Sequence, residues 1–427
     1  MAQLTVTSKD LVVTLSAGEK IAALHRDLRI PLDAIESVRV VADSLGAVRG
    51  LRAPGLALPG LTRIGTWRRP AGRSFVVAHR AQKGLHITLR DHRLTDLVIA
   101  VPAAEAVQRE VSSALDRRRA VAETDVVFVS AGLGLAGTYA APRDRQPLAV
   151  ALIVPGSGEV DRDSDHSRLP LGVSADLAHA LAAHGIASLR YDKRGVGRSE
   201  GSFLKTGLRD NVDDARAALA WLRTQSPAAS RPAFLVGHSE GGMIVEALAA
   251  GDEDLSGVVL LAAPGVPGLE MMAWQTRQVA SALPPFARMV VRLLRLDLAK
   301  LQQKSVQRIQ ASTTDTLRMN FQKVNARWQR ELLDFDPVPF LARITAPVLA
   351  ITGEKDLQVD VEDLETIRDT VAGPVEVHRA KDLTHLLRTD PDRPNLGAYS
   401  RLIRRPTDAA LLERVASWIV ERARAKV

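Results

Sequence analysis

The chain has 427 residues, 46% of them apolar and 25% charged, with a net charge of +8 and no cysteine. That length exceeds one ordinary core and implies two domains, or one large domain with insertions. The composition is that of a globular protein, and the lack of cysteine excludes disulfides, thiolate metal sites and a cysteine nucleophile.

Residues 1–120 carry 19 Lys and Arg against 11 Asp and Glu, which accounts for the whole net charge. This segment is expected to be a separate basic unit, able to meet an anionic membrane or an acidic protein. Nucleic acid is not expected, because the segment has no recognition helix or zinc motif and Trp67 is its only tryptophan. Met1–Asp10 shows no charged-then-apolar leader pattern, and no apolar run reaches the roughly 18 residues of a membrane span. A cytoplasmic protein is expected.

The first elements read as strands. Leu4–Thr7, Leu11–Leu15, Ile21–Leu24, Ile35–Val41, Ser74–Ala78, Leu85–Leu89 and Leu97–Val101 are short runs, several alternating or rich in β-branched residues. Leu45–Gly72 is rich in Gly, Pro and Arg and reads as a long loop. It holds Arg49, Arg52, Arg63, Arg68 and Arg69, with no acidic residue from Ser44 to Arg90, so any anion contact is expected there. Ala103, Val107, Val111, Ala114 and Leu115 then recur at helical spacing, behind Pro102 where a helix can begin. Many strands closed by one helix resemble a pleckstrin-homology-like β-barrel module over residues 1–120.

Arg117–Thr124 reads as the link. From Asp125 to the end, at 427, the pattern changes. Asp125–Ala140 reads as an antiparallel entry hairpin. Apolar runs then alternate with helical patterns: Ala149–Val154, Ser174–Ala183, Ala187–Tyr191, Asn211–Arg223, Ala233–Val236, Met243–Ala250 and Gly257–Leu261. Short continuous apolar runs separated by helices imply buried parallel strands with crossovers. The alternation resumes at Val348–Thr352, Val361–Val371, Val375–His378 and Ala409–Arg422. Between them, at about residues 265–336, helical patterns carry Met271, Met272, Trp274, Phe286, Met289, Leu293, Met319, Phe321 and Trp328. This insertion is expected to be a helical lid, whose side chains pack its helices and could line an acyl pocket.

The chemistry centres on Phe234-Leu235-Val236-Gly237-His238-Ser239-Glu240-Gly241-Gly242. The pattern Gly-x-Ser-x-Gly alone is common. Here it follows an apolar strand and precedes a helix, the sharp turn needed to expose a serine oxygen at a sheet edge. Ser239 is therefore the expected nucleophile. A serine needs a base, and the base an orienting acid. Only His378 and His385 follow Ser239. His378 falls inside a strand pattern and His385 in a loop, which favours His385. Asp356 follows the strand run Val348–Thr352 and Gly353, and is the expected acid, ahead of Glu354, Asp360 and Asp382. The anionic intermediate needs two backbone donors. The amides of Glu240 and of Ser157, in the loop Val154-Pro155-Gly156-Ser157-Gly158, are the expected pair.

Taken together, Gly156–Asp163, Tyr191–Ser199, Gly237–Gly242, Gly353–Asp356 and Thr384–His385 resemble the α/β-hydrolase superfamily, in a bacterial branch with carboxylesterases and relatives of serine-peptidase and acyl-thioesterase hydrolases. The resemblance covers residues 125–427. It implies an eight-stranded, mostly parallel sheet, no metal and no organic cofactor. It also supports Ser239, Asp356 and His385 as a triad, with Ser157 and Glu240 as the oxyanion hole. Pro155 stands where many relatives have histidine. Asp161, Arg162, Asp163, Asp192 and Arg194 could touch substrate, or pair with one another to hold the loops. The expected reaction is hydrolysis of a small-molecule carboxylic ester through an acyl-enzyme. Thioester or peptide hydrolysis is the alternative, and recruitment through the basic segment is a function of another class. Peptidases of this superfamily usually carry a large propeller in front, for which 120 residues are too few.

Overall fold

The computed structural model describes all residues except 8, 167–168, 226–229, 283–288, 290–292, 294–297, 320 and 426–427. Contacts divide the chain into Met1–Ala120 with Arg404–Pro406, and Val121–Ile403 with Thr407–Val427.

The first unit opens with an antiparallel sheet of β1 (Gln3–Val6), β2 (Asp10–Thr14) and β3 (Leu28–Pro31). Between β2 and β3 lies helix α1 (Ala17–Ala23). Ile21–Leu24, expected as a strand, belongs to this helix and its cap. Ser16 and Glu19 form a reciprocal capping box that starts the helix, and Leu24 ends it in the left-handed region. That local signal, with the helix preference of Ala22 and Ala23, outweighs the β-leaning of Ile21.

A six-stranded sheet follows, from β4 (Ile35–Val41), then, after the short helix α2 (Ser44–Ala47), β5 (Leu51–Leu58), β6 (Thr62–Arg69), β7 (Gly72–His79), β8 (Gly84–Leu89) and β9 (Asp96–Ala100). Its order is β4-β8-β9-β7-β6-β5. The expected long loop at 45–72 is thus mostly a hairpin. Gly and Pro misled there because β5 is an edge strand, where Pro54 is tolerated, and because Gly55 and Gly65 oppose each other. A Cβ on Gly65 would lie 2.7 Å from the Gly55 Cα, so this crossing requires glycine. Helix α3 (Ala104–Arg119) closes the unit and buries Val111 and Leu115 with Leu85, Ile87, Leu97 and Ile99. The β-rich pattern with a closing helix is met. Within this sheet β7 and β9 run parallel.

The second unit begins with the hairpin β10 (Val121–Ser130) and β11 (Leu133–Pro142), then β12 (Ala149–Val154). After the two-residue strands β13 (Asp165–His166) and β14 (Leu169–Pro170) come α4 (Val173–Ala183), β15 (Ile186–Tyr191), α5 (Leu208–Thr224), β16 (Ala233–His238), α6 (Glu240–Ala249) and β17 (Leu255–Leu261). Beyond the insertion lie β20 (Val348–Gly353) and β21 (Val375–Ala380). The eight-stranded sheet runs β10-β11-β15-β12-β16-β17-β20-β21, and the six strands from β15 onward are parallel. Every residue of β12, β15, β16 and β17 is buried, as expected of strands covered on both faces. The chain leaves β12 towards β15 on one side and reaches β16 on the other. The carboxyl ends of β12 and β16 therefore flank a switch point, where α/β sheets open a crevice.

The insertion contains α7 (Gly268–Ser281), a helix at Leu298–Gln310, the hairpin β18 (Thr316–Met319) and β19 (Gln322–Asn325), and a helix at Ala326–Leu333. The helices expected of the insertion are joined by this hairpin, which the helical patterns did not announce. Met319 pairs across the hairpin with Gln322, and Phe321 sits at the turn with a φ of 65° and full exposure. Met272 and Met319 pack on Val306, Ile309 and Leu333 in the insertion's own core. Met271 and Trp328, and Met272 as well, pack against the main core. Phe286 lies outside the described residues.

Candidate active site

Strand β16 runs without a break into the turn that carries Ser239. Its amide still donates to the Leu261 carbonyl at 2.9 Å, and α6 begins at the next residue. Ser239 has a φ of 56° and a ψ of −120°, a strained conformation for any residue but glycine. The neighbours permit it by lacking side chains. A Cβ on Gly237 would lie 2.2 Å from the Gly241 carbonyl oxygen, and one on Gly241 would lie 2.2 Å from that of Val154. The serine is thus lifted off the sheet at the amino end of a helix, where a developing anion is favoured.

His385 stands on the loop after β21, and Asp356 on the loop after β20. His385 Nε2 is 3.1 Å from Ser239 Oγ, and His385 Nδ1 is 2.8 Å from Asp356 Oδ2. The other Asp356 oxygen accepts the amides of Gln358 and Val359 at 2.7 and 3.0 Å. His385 and Asp356 are buried, while Ser239 is half-buried. The structure therefore brings Ser239, His385 and Asp356 into one hydrogen-bonded line. It leaves the alternatives elsewhere. His378 lies on β21, Glu354 is exposed, Asp382 pairs with Lys355 at 2.8 Å, and Asp360 accepts from the Glu362 amide.

Glu240 follows Ser239 as the first residue of α6. The Ser157 loop leaves the end of β12 beside it: a Cβ on Gly156 would lie 3.3 Å from the Ser239 Cβ. Two residues in those motifs, to which the sequence assigned no role, make buried contacts at the site. His238 Nε2 donates to the His385 carbonyl at 3.0 Å, and its ring is fully buried. Burial, with the nearby His385, pushes the His238 imidazole down to about 3, so the ring is neutral at ordinary pH. Lys193 Nζ donates to the Gly156 carbonyl at 2.7 Å and lies 3.3 Å from a Glu240 carboxylate oxygen. Chain distance conceals both contacts from a reading by motif.

The charged loop residues pair with one another. Arg162 grips Asp192 through Nε and Nη2 at 3.0 and 2.7 Å, and its amide donates to the same carboxylate at 2.8 Å. Arg194 grips Asp214 through two bonds of 2.8 and 2.7 Å. Asp163 takes Arg190 Nε at 2.7 Å. Asp161 accepts the amides of Asp163 and Asp165, both at 2.9 Å. Burial, with those two carboxylates alongside, pushes the Asp161 carboxyl up. Asp161, Asp163 and Asp165 bring carboxylate oxygens within 4.8 Å of one another. Their amide and guanidinium partners account for them as loop fasteners.

Two further carboxyls are buried behind the site. Burial, with Asp360, Glu270 and Asp356 nearby, pushes the Asp363 carboxyl up to about 7 even though it accepts the Gly265 amide. Burial pushes Glu246, on α6, well above the carboxylate range. Among the arginines of the first unit, Arg49 and Arg63 donate to the Val48 carbonyl and Arg69 to Asp96. Arg52 and Arg68 are exposed.

Known proteins are similar to this chain. The family model described as serine aminopeptidase, S33, matches residues 167–392. An esterase of Thermotoga maritima, EstD, is 27% identical over 290 residues, which cover 67% of this chain and 66%, just under two thirds, of that protein. A monoacylglycerol lipase of Mycolicibacterium smegmatis is 27% identical over 280 residues, covering 65% of this chain and 90% of the lipase. Among solved structures, Est1E from Butyrivibrio proteoclasticus with bound ferulic acid aligns with a TM-score of 0.47 at 17% identity, over 70% of this chain and 98% of its own. Among the described residues, no helix is long and apolar enough to cross a membrane.

Proposed function

This chain belongs to the serine aminopeptidase S33 family of α/β-hydrolases, and we propose that it is a serine esterase acting through an acyl-enzyme. The observation that carries this reading is the hydrogen-bonded line from Ser239 through His385 to Asp356. Ser239 Oγ attacks the ester carbonyl while His385 Nε2 takes its proton. Asp356 holds the imidazole in the tautomer that bears a proton on Nδ1. The tetrahedral oxyanion is met by the amides of Ser157 and Glu240. As it collapses, the ester C–O bond breaks and the alkoxide takes the proton from His385. A water molecule then gives its proton to His385 and attacks the acyl-enzyme, which releases the acid and restores Ser239.

Ester is favoured over peptide by the two curated relatives, named as an esterase and a monoacylglycerol lipase. A panel of p-nitrophenyl esters of rising acyl length, acyl-CoA thioesters and peptide amides tests this. Highest kcat/KM on esters is expected; highest kcat/KM on peptide amides or thioesters would reassign the bond.

A second reading concerns residues 1–120. Arg68 and Arg73 oppose each other across β6 and β7, both exposed, in a stretch with no acidic residue from 44 to 90. Like charges directly opposite are destabilising. A phosphate-bearing membrane surface would relieve the repulsion, which supports recruitment of the enzyme to anionic lipid.

A further inference from the structure

Two buried groups meet beneath the loop that carries Ser157, and the catalytic line uses neither of them. Lys193 follows β15 in the run Tyr191-Asp192-Lys193-Arg194-Gly195, and its side chain is only 4% exposed. Glu240 is equally enclosed, at 2%. A lysine and a glutamate are almost never buried so fully unless they are paired. Lys193 Nζ has two partners: the Gly156 carbonyl at 2.7 Å and Glu240 Oε1 at 3.3 Å. The same Glu240 oxygen accepts Asn211 Nδ2 at 3.1 Å.

The identity of those partners gives the contact its meaning. The Gly156 carbonyl and the Ser157 amide are two ends of one peptide unit. In a planar trans peptide the C=O and N–H point in opposite directions. Fixing the carbonyl on Lys193 therefore fixes the heading of the Ser157 N–H, which lies in the same plane and points away from Lys193. Glu240 is the residue whose own amide is the second donor. One ammonium thus ties together the two backbone segments, from β12 and from α6, whose amides must converge on one oxygen. A hydrogen bond from a cation to the peptide oxygen also polarises the amide, which strengthens its N–H as a donor.

We propose that Lys193 is the positioning residue of the oxyanion hole, holding the 156–157 peptide by its carbonyl and the start of α6 through Glu240. The inference rests on the esterase reading above, in which the amides of Ser157 and Glu240 receive the oxyanion. Lys193 touches no substrate atom and acts through those two amides. Its charge would also lie behind the peptide that faces the developing anion, where a positive field favours the transition state over the bound ester.

Because a donor misaligned in the transition state costs kcat rather than ground-state binding, the effect has a kinetic signature. Lys193→Met keeps the length and apolar stem but removes the ammonium. Its kcat on a p-nitrophenyl ester is expected to fall about 10–100-fold, below the roughly 10²–10³-fold of losing a donor outright, with KM within about twofold. Affinity for a boronic acid, which forms a tetrahedral adduct on Ser239, is expected to fall in the same proportion as kcat. Lys193→Arg restores the cation and is expected to recover most of both losses. Glu240→Gln keeps the Gly156 hydrogen bond but removes the ion pair, and is expected to lose less than Lys193→Met. If Lys193→Met does not fold, the Lys193→Arg and Glu240→Gln pair carries the test. Wild-type kcat and boronate affinity in Lys193→Met would overturn the proposal, as would a loss confined to KM. With an unfolded Lys193→Met, unchanged boronate affinity in Glu240→Gln would do so. The esterase reading fails separately, if the wild-type enzyme neither turns over esters nor binds the boronate at Ser239.

Discussion

His238 Nε2 donates to the backbone carbonyl of His385 at 3.0 Å. The residue just before the nucleophile therefore anchors the loop that carries the base. The anchor comes from β16 and spans 147 residues of chain. His238→Ala would leave a buried carbonyl unpaired and the His385 loop loose. A loss of about tenfold in kcat is expected, equivalent to ~1.4 kcal/mol in the barrier. Steady-state kinetics on a p-nitrophenyl ester, with circular dichroism to verify the fold, measures it. Full activity would show that the His385 loop needs no such anchor.

Asp356 orients the base and should not be replaceable by an amide. Asp356→Asn keeps the shape but can place a donor against His385 Nδ1 and favour the wrong tautomer. A fall in kcat of roughly 10³–10⁴-fold is expected. Asp382→Asn, which alters a pair with Lys355 on another part of the loop, is the comparison, and its kcat should stay within about threefold.

The buried pair Arg162 and Asp192 fastens a loop, so its loss should appear as instability. Asp192→Asn removes the carboxylate that Arg162, 8% exposed, grips through two bonds, and leaves Asp125 at 3.1 Å as a charged partner. Breaking a buried pair outright costs about 3–5 kcal/mol, and a loss below that is expected. Urea unfolding, followed by tryptophan fluorescence, measures it. Unaltered stability with lost activity would instead mean that Asp192 acts on substrate.

Stability should also depend on pH, with opposite signs from two groups. Asp363 has its folded pKa raised from 3.8 to about 7, so the folded state holds the extra proton between those values. Its contribution therefore weakens as pH rises from about 4 to about 7. His238 has its folded pKa lowered from 6.5 to about 3, so the unfolded state holds the extra proton there. Its contribution weakens as pH falls from about 6.5 to about 3. Asp363→Asn should flatten the first limb and raise stability at pH 8, by at most about 4 kcal/mol. Urea midpoints at pH 5 and pH 8 for both proteins decide it. An equal pH dependence in wild type and variant would contradict the assignment to Asp363.

The sequence made the nucleophile, the base and the acid legible because each sits at the end of a strand that its own apolar run announces. Ser239 follows β16, Asp356 follows β20 and His385 follows β21. What motifs could not reveal is the work done across long separations. Lys193 reaches a carbonyl 37 residues earlier and a carboxylate 47 residues later. Arg194 finds Asp214, a helix residue that no loop motif includes. In the first unit the errors were local. The capping box of Ser16 and Glu19 turned Ile21–Leu24 into a helix, and two facing glycines concealed the β5–β6 hairpin.

If the exposed Arg68 and Arg73 of β6 and β7 recruit the enzyme, the full chain should pellet with phosphatidylserine vesicles at low salt and not with phosphatidylcholine vesicles. Arg68→Glu with Arg73→Glu should abolish pelleting while leaving ester turnover in solution intact. Failure of the wild type to pellet would remove the membrane reading.

The account turns above all on Ser239 being an activated nucleophile. Treatment with a fluorophosphonate probe, followed by peptide mass mapping, tests this directly. Wild type should carry one adduct, on Ser239, and lose ester turnover in step with labelling. Ser239→Ala should neither label nor hydrolyse, with turnover at least about 10⁴-fold down. An unlabelled wild type, or a Ser239→Ala variant that still turns over esters, would contradict the account.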